Sequence, residues 1–283
     1  MKPQQLGSLW MLVAGLFFAI MGALVKVAAQ KFTSAELVFY RSFFGLLAIF
    51  ALVYIQKWPL ATPMLGKQVG RSILGFLSLL LFFYAISELP LATAVTLNYT
   101  SPLFMAMSMP FILHERPRKT LIAAIVLGFI GVALLLKPSL HADELIAGTL
   151  GLFSGIFAGV VMAHITQLGR AGEPDWRTVF YFSLVCTIGA GMWMLLHHFS
   201  HVTWQDFLLL LGIGLSATIA QLAMTRAYRT GSPLVVGSLA YITVVLASLF
   251  GILLWNETLS PDRWLAVALI ILSGIISVRA TPR

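Results

Sequence analysis

Ten apolar runs, each long enough to cross a hydrocarbon core about 30 Å thick, constrain this chain more than any other feature. They fall near residues 6–28, 34–55, 70–88, 91–113, 119–136, 146–168, 176–196, 205–227, 233–254 and 262–279. The connections between them are mostly too short to fold on their own. The pattern predicts an all-α integral membrane protein of ten transmembrane helices, with no soluble domain. Only 10% of the 283 residues are charged, against about 25% in a soluble domain. A surface so poor in charge cannot face water, so the lipid bilayer is the expected solvent. The single cysteine, Cys186, lies inside an apolar run, which excludes an intrachain disulfide and any cysteine-built metal site.

The runs are not independent. Residues 84–137 recur as 226–279 when one copy slides by 142 positions, laying Ala85 on Ala227, Tyr99 on Tyr241 and Glu115 on Glu257. In each copy a short turn with Pro opens an apolar helix, a polar knot containing Glu closes it, and a helix rich in small residues follows. A repeat this long predicts two related halves rather than a solenoid, here 1–138 and 139–283. The first run resembles a signal peptide, but its partner in the second half argues that it stays. Gly15, Ala19 and Ala23 form a stripe of small residues that Gly155, Gly159 and Ala163 repeat 140 residues later. Such a stripe lets a second helix approach closely; lining a solute path is the alternative.

Orientation follows from Lys and Arg. With a cytoplasmic N-terminus, thirteen of the 18 fall in inner segments: Lys2, Lys57, Lys67, Arg71, Arg116, Arg118, Lys119, Arg170, Arg177, Arg226, Arg229, Arg279 and Arg283. The outer loops hold Lys31, Lys137 and Arg263. Both termini are therefore expected in the cytoplasm. Topology then accounts for the net charge of +8, and no nucleic-acid partner is implied. Five helices per half is an odd number, so the second half enters from the opposite face. Inverted repeats of this kind are the architecture of alternating-access carriers, with a site near the midplane between the halves.

The fourth run carries Asn98, Tyr99, Thr100 and Ser101 just before Pro102. Pro102 has no N–H, and its ring clashes with the carbonyl of Asn98. That carbonyl, about 10 Å deep, needs a partner: another helix, water or a solute. Asn98, Tyr99, Ser101 and Pro102 thus either touch a transported molecule or form a packed kink. Tyr241, the repeat partner of Tyr99, is comparably deep from the other face. Arg41 lies about 10 Å into the second run and cannot easily lose its proton. It either caps interior carbonyls or attracts an anionic group of a solute. Lys26, near a helix end, can snorkel to the headgroups. All ten acids lie at or near helix ends, so the raised-pKa carboxylate often used by proton-driven carriers is missing. His164, near Gln167, is the nearest substitute. Glu115 and Glu257 read as structural caps or gate latches. The cluster His197, His198 and His201 has no acid within it, and no metal or other cofactor is expected. Gln221 and Tyr228 in the eighth helix, with Tyr84 in the third, are further candidates for a cavity wall.

No nucleophile elbow, zinc-protease helix, Walker A loop or dinucleotide fingerprint is present, so neither an enzyme nor a nucleotide-driven pump is indicated. The duplicated plan with FYRSFFG at 39–45, YAISELPLATAVTLNYTSPLF at 84–104 and GFIGVALLLKP at 128–138 resembles the EamA family of the drug/metabolite transporter superfamily. Arg41, the turn of Leu89, Pro90, Leu91 and Ala92, and Glu115 match that family's usual pattern. The second half departs from it, with Val244 in place of Pro102 and Phe182 in place of Arg41. The resemblance implies an inner-membrane carrier of ten helices around a central cavity. Its substrates would be amino acids or related metabolites, with S-adenosylmethionine, riboflavin or a lipid-linked sugar as alternatives. The expected partners are a small-molecule solute and the bilayer; the sequence leaves the oligomeric state open.

Overall fold

The computed structural model describes residues 3–89, 91–137, 144–196, 199–255 and 260–280. Pro90, Asp143, Asn256, Glu257, His197 and His198 lie outside the described residues, and with them the latch at 257 and most of the histidine cluster. Helices begin where the sequence supplies caps. At Thr33, Oγ1 accepts from the Glu36 N–H at 3.3 Å while the Thr33 N–H donates to Glu36 Oε2 at 2.8 Å. This reciprocal box satisfies two orphan donors and starts α2. Thr203 and Asp206 do the same for α9. Lys57 and Lys137, both in the left-handed conformation, end α2 and α6.

The described residues form twelve helices and no strand: α1 Pro3–Ala28, α2 Ser34–Gln56, α3 Leu65–Glu88, α4 Leu91–Asn98, α5 Ser101–Ile112, α6 Lys119–Leu136, α7 Leu145–Arg170, α8 Asp175–Leu195, α9 Trp204–Thr230, α10 Pro233–Ala240, α11 Ile242–Trp255 and α12 Pro261–Ala280. Nine stretches among them are long and apolar enough to span a membrane. The expected fourth span is broken into α4 and α5, and the ninth into α10 and α11.

The two breaks fall at one repeat position. The first is at Tyr99–Thr100, and Pro102 sits in the opening turn of α5, where a missing N–H costs nothing. The second is at Tyr241, where no proline is present. Proline is therefore not the common cause. Each break is a tightened turn with hydrogen bonds to the third residue back, from the Thr100 N–H to the Leu97 carbonyl at 3.2 Å and from the Val244 N–H to the Tyr241 carbonyl at 3.1 Å.

The small-residue stripes explain where the broken helices sit. An added Cβ at Gly155 would lie 2.6 Å from the Leu97 carbonyl oxygen, and one at Gly159 lies 2.6 Å from that of Ser101. At Gly15 it would meet Ile242 Cγ2 at 2.8 Å. The α7 stripe therefore seats α4–α5, and the α1 stripe seats α10–α11. The other large pairings also cross between halves: α1 with α9, α3 with α7, α2 with α8 and α6 with α12. The main core gathers Met105, Ile125, Tyr228, Tyr241 and Ile270.

Polar clamps tie the helix ends. On one face the Ser200 N–H donates to Glu36 Oε1 at 2.6 Å, and Lys31 pairs with Asp206 at 2.5 Å. On the other, Glu173 accepts from Gln68 and Arg177, both at 3.1 Å, and from Thr62. Burial pushes the Glu173 carboxyl up, but the hydrogen bonds from Thr62, Arg177 and Gln68 outweigh it and hold the group below the usual carboxylate range. Arg170 reaches Glu115 at 3.0 Å, and Arg229 reaches Asp175 at 2.8 Å.

Candidate functional site

The sequence-derived candidates separate into two groups at depth. In the first, the two helix breaks face each other. The Tyr99 and Tyr241 rings lie 6.2 Å apart at 41°, and the Tyr99 hydroxyl hydrogen-bonds with Thr243 of α11. Asn98 Nδ2 donates to Ser154 Oγ on α7 at 3.1 Å. Ser154 in turn donates to the Gly151 carbonyl at 2.6 Å, and its own carbonyl accepts from Ser78 at 2.8 Å. A chain of hydroxyls thus links α3, α7 and the end of α4. Ser101 and Pro102 are buried, Pro102 against Gly237. Tyr228 is fully buried and its hydroxyl contacts Met162 Sδ at 3.2 Å. Tyr241 is fully buried as well, yet its hydroxyl finds no hydrogen-bond partner. An unpaired buried hydroxyl costs about 1–3 kcal/mol.

The second group surrounds a small polar cavity between α2, α8 and α9. Arg41, Ser42, Phe182, Ser183, Thr218 and Gln221 line it together with Val179 and Ala217. Its volume is about 10 Å³, room for roughly one water molecule. Gly45 of α2 makes the approach possible, because an added Cβ there would meet Thr218 Oγ1 at 2.7 Å. Ser42 hydrogen-bonds to Cys186, which is fully buried one turn beyond Phe182. Arg41 and Gln221, far apart in sequence, are brought together here. Tyr84 is 44% exposed on α3 and belongs to neither group.

A second buried cation, Arg71, adjoins the cavity through Phe182. Arg71 reads as an inner-loop cation because the third apolar run starts at 70; in the structure α3 begins at Leu65. Arg71 is 3% exposed, and its guanidinium stands 4.5 Å from the centre of the Phe182 ring. Its Nε and Nη1 are buried without a hydrogen-bond partner. Phe182 is the residue aligned with Arg41 in the second half, so the ring in one repeat carries a cation placed elsewhere in the other. His164 on α7 hydrogen-bonds with Gln167 and lies within electrostatic reach of Lys67 and Arg71. Among the described residues no group of three or more His, Cys, Asp or Glu is arranged to hold a metal.

The model of the EamA-like transporter family matches residues 5–137 and again 145–279. The pseudopaline exporter CntI of Pseudomonas aeruginosa is 32% identical over 97% of this chain and 94% of its own. A riboflavin transporter of Vibrio cholerae is 27% identical over 94% and 91%, respectively. An S-adenosylmethionine uptake transporter of Rickettsia bellii is 22% identical over 93% and 89%. A crystal structure with 18% identity superposes with a TM-score of 0.85 over 99% of this chain and 100% of the other, which shows the fold.

Proposed function

We propose that this chain, which belongs to the EamA-like transporter family, is a secondary carrier that moves an amino acid or related zwitterion by alternating access. Membership makes it a multi-pass inner-membrane transporter of small metabolites. The finer reading rests mainly on one observation: the principal helix pairings run between the halves, and the two broken helices meet at Tyr99 and Tyr241. A carrier needs two packings of comparable energy. Halves that hold each other through equivalent seats, α1 for α10–α11 and α7 for α4–α5, can exchange which seat is tight.

In this reading residues 1–138 and 139–283 are repeats planted in opposite directions, with both termini in the cytoplasm. The break residues Asn98, Tyr99, Ser101, Pro102 and Tyr241 form one wall of the path. Arg41, Gln221 and the hydroxyls around them form another, suited to a carboxylate with hydrogen-bonding neighbours. Tyr228 backs the first wall. Tyr84 is the outlying candidate and contributes only if α3 turns during the cycle. Carboxylates near the membrane centre are lacking among the described residues, which favours exchange or facilitated diffusion over proton coupling.

The test is counterflow in proteoliposomes. Vesicles loaded with a mixture of unlabelled amino acids should accumulate a labelled member transiently, and saturably. A carrier that leaks label without saturation, or moves none of the zwitterions, would refute the assignment. A second reading has its own observation. A lipid-facing apolar groove of about 350 Å³ between α1, α10, α11 and α12, with Ile271 and Ile275 on its rim, would suit the acyl chain of a lipid-linked sugar. Competition of flux by soluble amino acids discriminates against it.

A further inference from the structure

Arg41 and Arg71 converge on α8: Phe182 lines the Arg41 cavity and carries Arg71 on its ring face, and Cys186 lies one turn further along the same helix. Arg41 is the eighth residue of α2 and Arg71 the seventh of α3, so each lies about 10 Å from its own helix start. Consecutive spans run in opposite directions, so the two side chains reach α8 from oppositely directed helices. Helix α8 packs against both α2 and α3. Its Cys186, twelfth of 21 residues, feels the charge of both arginines. Among the described residues no carboxylate pairs with either one.

A guanidinium keeps its proton in a protein, and a buried cation without an anion is expensive. The Phe182 ring satisfies one face of Arg71, yet Nε and Nη1 remain unpartnered at 3% exposure. Around Arg41 the cavity offers hydroxyls and the Gln221 amide, and no acid. Two fixed positive charges without a counter-charge in a tightly packed site concentrate counter-ions strongly.

We propose that Arg41 and Arg71 form a two-station path for an anionic group, carboxylate or phosphate, which passes from one guanidinium to the other across Cys186 and the Phe182 ring. This deepens the carrier reading and rests on it: the solute bears at least one anionic group, and the arginines supply the counter-charge that the protein withholds. The cavity holds about 10 Å³ in this structure, so the stations are occupied in turn as α8 shifts between α2 and α3.

Cys186 is the only thiol in the chain and reports on the path directly. The carrier in phosphatidylcholine vesicles is treated with anionic methanethiosulfonate ethylsulfonate or its cationic trimethylammonium counterpart. Each rate is normalised to that reagent's rate with free cysteine. The anionic reagent should label Cys186 at least roughly tenfold faster. Arg41→Gln and Arg71→Gln should each reduce that preference, and Arg41→Lys and Arg71→Lys should keep it. If the Gln variants fail to accumulate, the reagent comparison on the unaltered carrier still decides. Slowing by millimolar glutamate assigns the anionic group to a soluble solute; slowing only when phosphatidylglycerol is added assigns it to a lipid headgroup. Equal or faster labelling by the cation, or no labelling by either reagent, overturns the proposal. Counterflow in the same vesicles separates the two readings. Flux without anion preference removes the path and leaves the carrier, and preference without flux removes the carrier and the path with it, leaving a bare anion site.

Discussion

Substituting one glycine of the α7 stripe tests whether the broken helix is held by close packing. An alanine Cβ at 159 would lie 2.6 Å from the Ser101 carbonyl oxygen, 2.7 Å from the Met105 nitrogen and 2.9 Å from Phe104 Cβ. Two of these atoms are backbone, so no change of rotamer relieves the clash. To restore ordinary contact near 3.5 Å, α5 must retreat by roughly 1 Å. Overpacking of this kind costs about 1–3 kcal/mol. Gly22, on the same class of helix in the other half, has nothing within 4 Å of an added Cβ. Alanine there should gain about 0.5–1 kcal/mol from helix propensity. The two variants should differ by about 1.5–4 kcal/mol, which separates their melting temperatures by roughly 3–16 °C. Thermal unfolding of purified carrier, followed by loss of the monodisperse peak, reads this directly. Gly159→Ala should also slow flux, since α5 carries the break that positions Tyr99. Equal melting of Gly159→Ala and Gly22→Ala would refute the packing argument.

Asn98→Ala and Tyr99→Ala should lower flux several-fold with the protein retained in the membrane, whereas Arg41→Ala should lower both; parental flux in the first two variants removes them from the path. Tyr241→Phe deletes a buried hydroxyl that has no partner, so the melting temperature should hold or rise while flux falls; unchanged flux would show that the hydroxyl serves no solute. Glu173 is held below the ordinary carboxylate range by Thr62, Arg177 and Gln68. A depressed folded-state pKa favours the charged form, so its stabilisation is complete above the unfolded value of about 4.3 and is lost as pH falls through the folded value. Glu173→Gln should therefore lower the melting temperature at pH 7 and approach the parental protein below about pH 4; a constant difference between them across that range would contradict the clamp.

Much of this architecture is written in the sequence because the membrane imposes it. Every span must satisfy its own backbone, so apolar length alone marks the helices, and caps such as Thr33–Glu36 and Thr203–Asp206 mark where two of them start. The stripes Gly15–Ala23 and Gly155–Ala163 are equally visible, since only small residues allow backbones to meet. The break at Tyr241 is not legible: it has no proline, and it depends on how α10 and α11 settle on Gly15. Arg71 was hidden by its neighbours. Lys67 and Gln68 read as loop, but Gln68 is drawn into the helix and buried because Glu173 and Thr178 accept its amide protons at 3.1 and 3.2 Å. That bond joins distant segments, and no local pattern announces it. The meeting of Arg41 with Gln221 is likewise a product of α2 packing on α9.

The claim under all of this is that two five-span halves face each other in opposite directions. Glu115→Cys and Glu257→Cys, each in a Cys186→Ala background, place a thiol at matching points of the two repeats. Labelling of intact cells with a membrane-impermeant maleimide should modify position 257 and spare 115, and inverted vesicles should give the reverse. Modification of both from one side of the membrane would contradict the account.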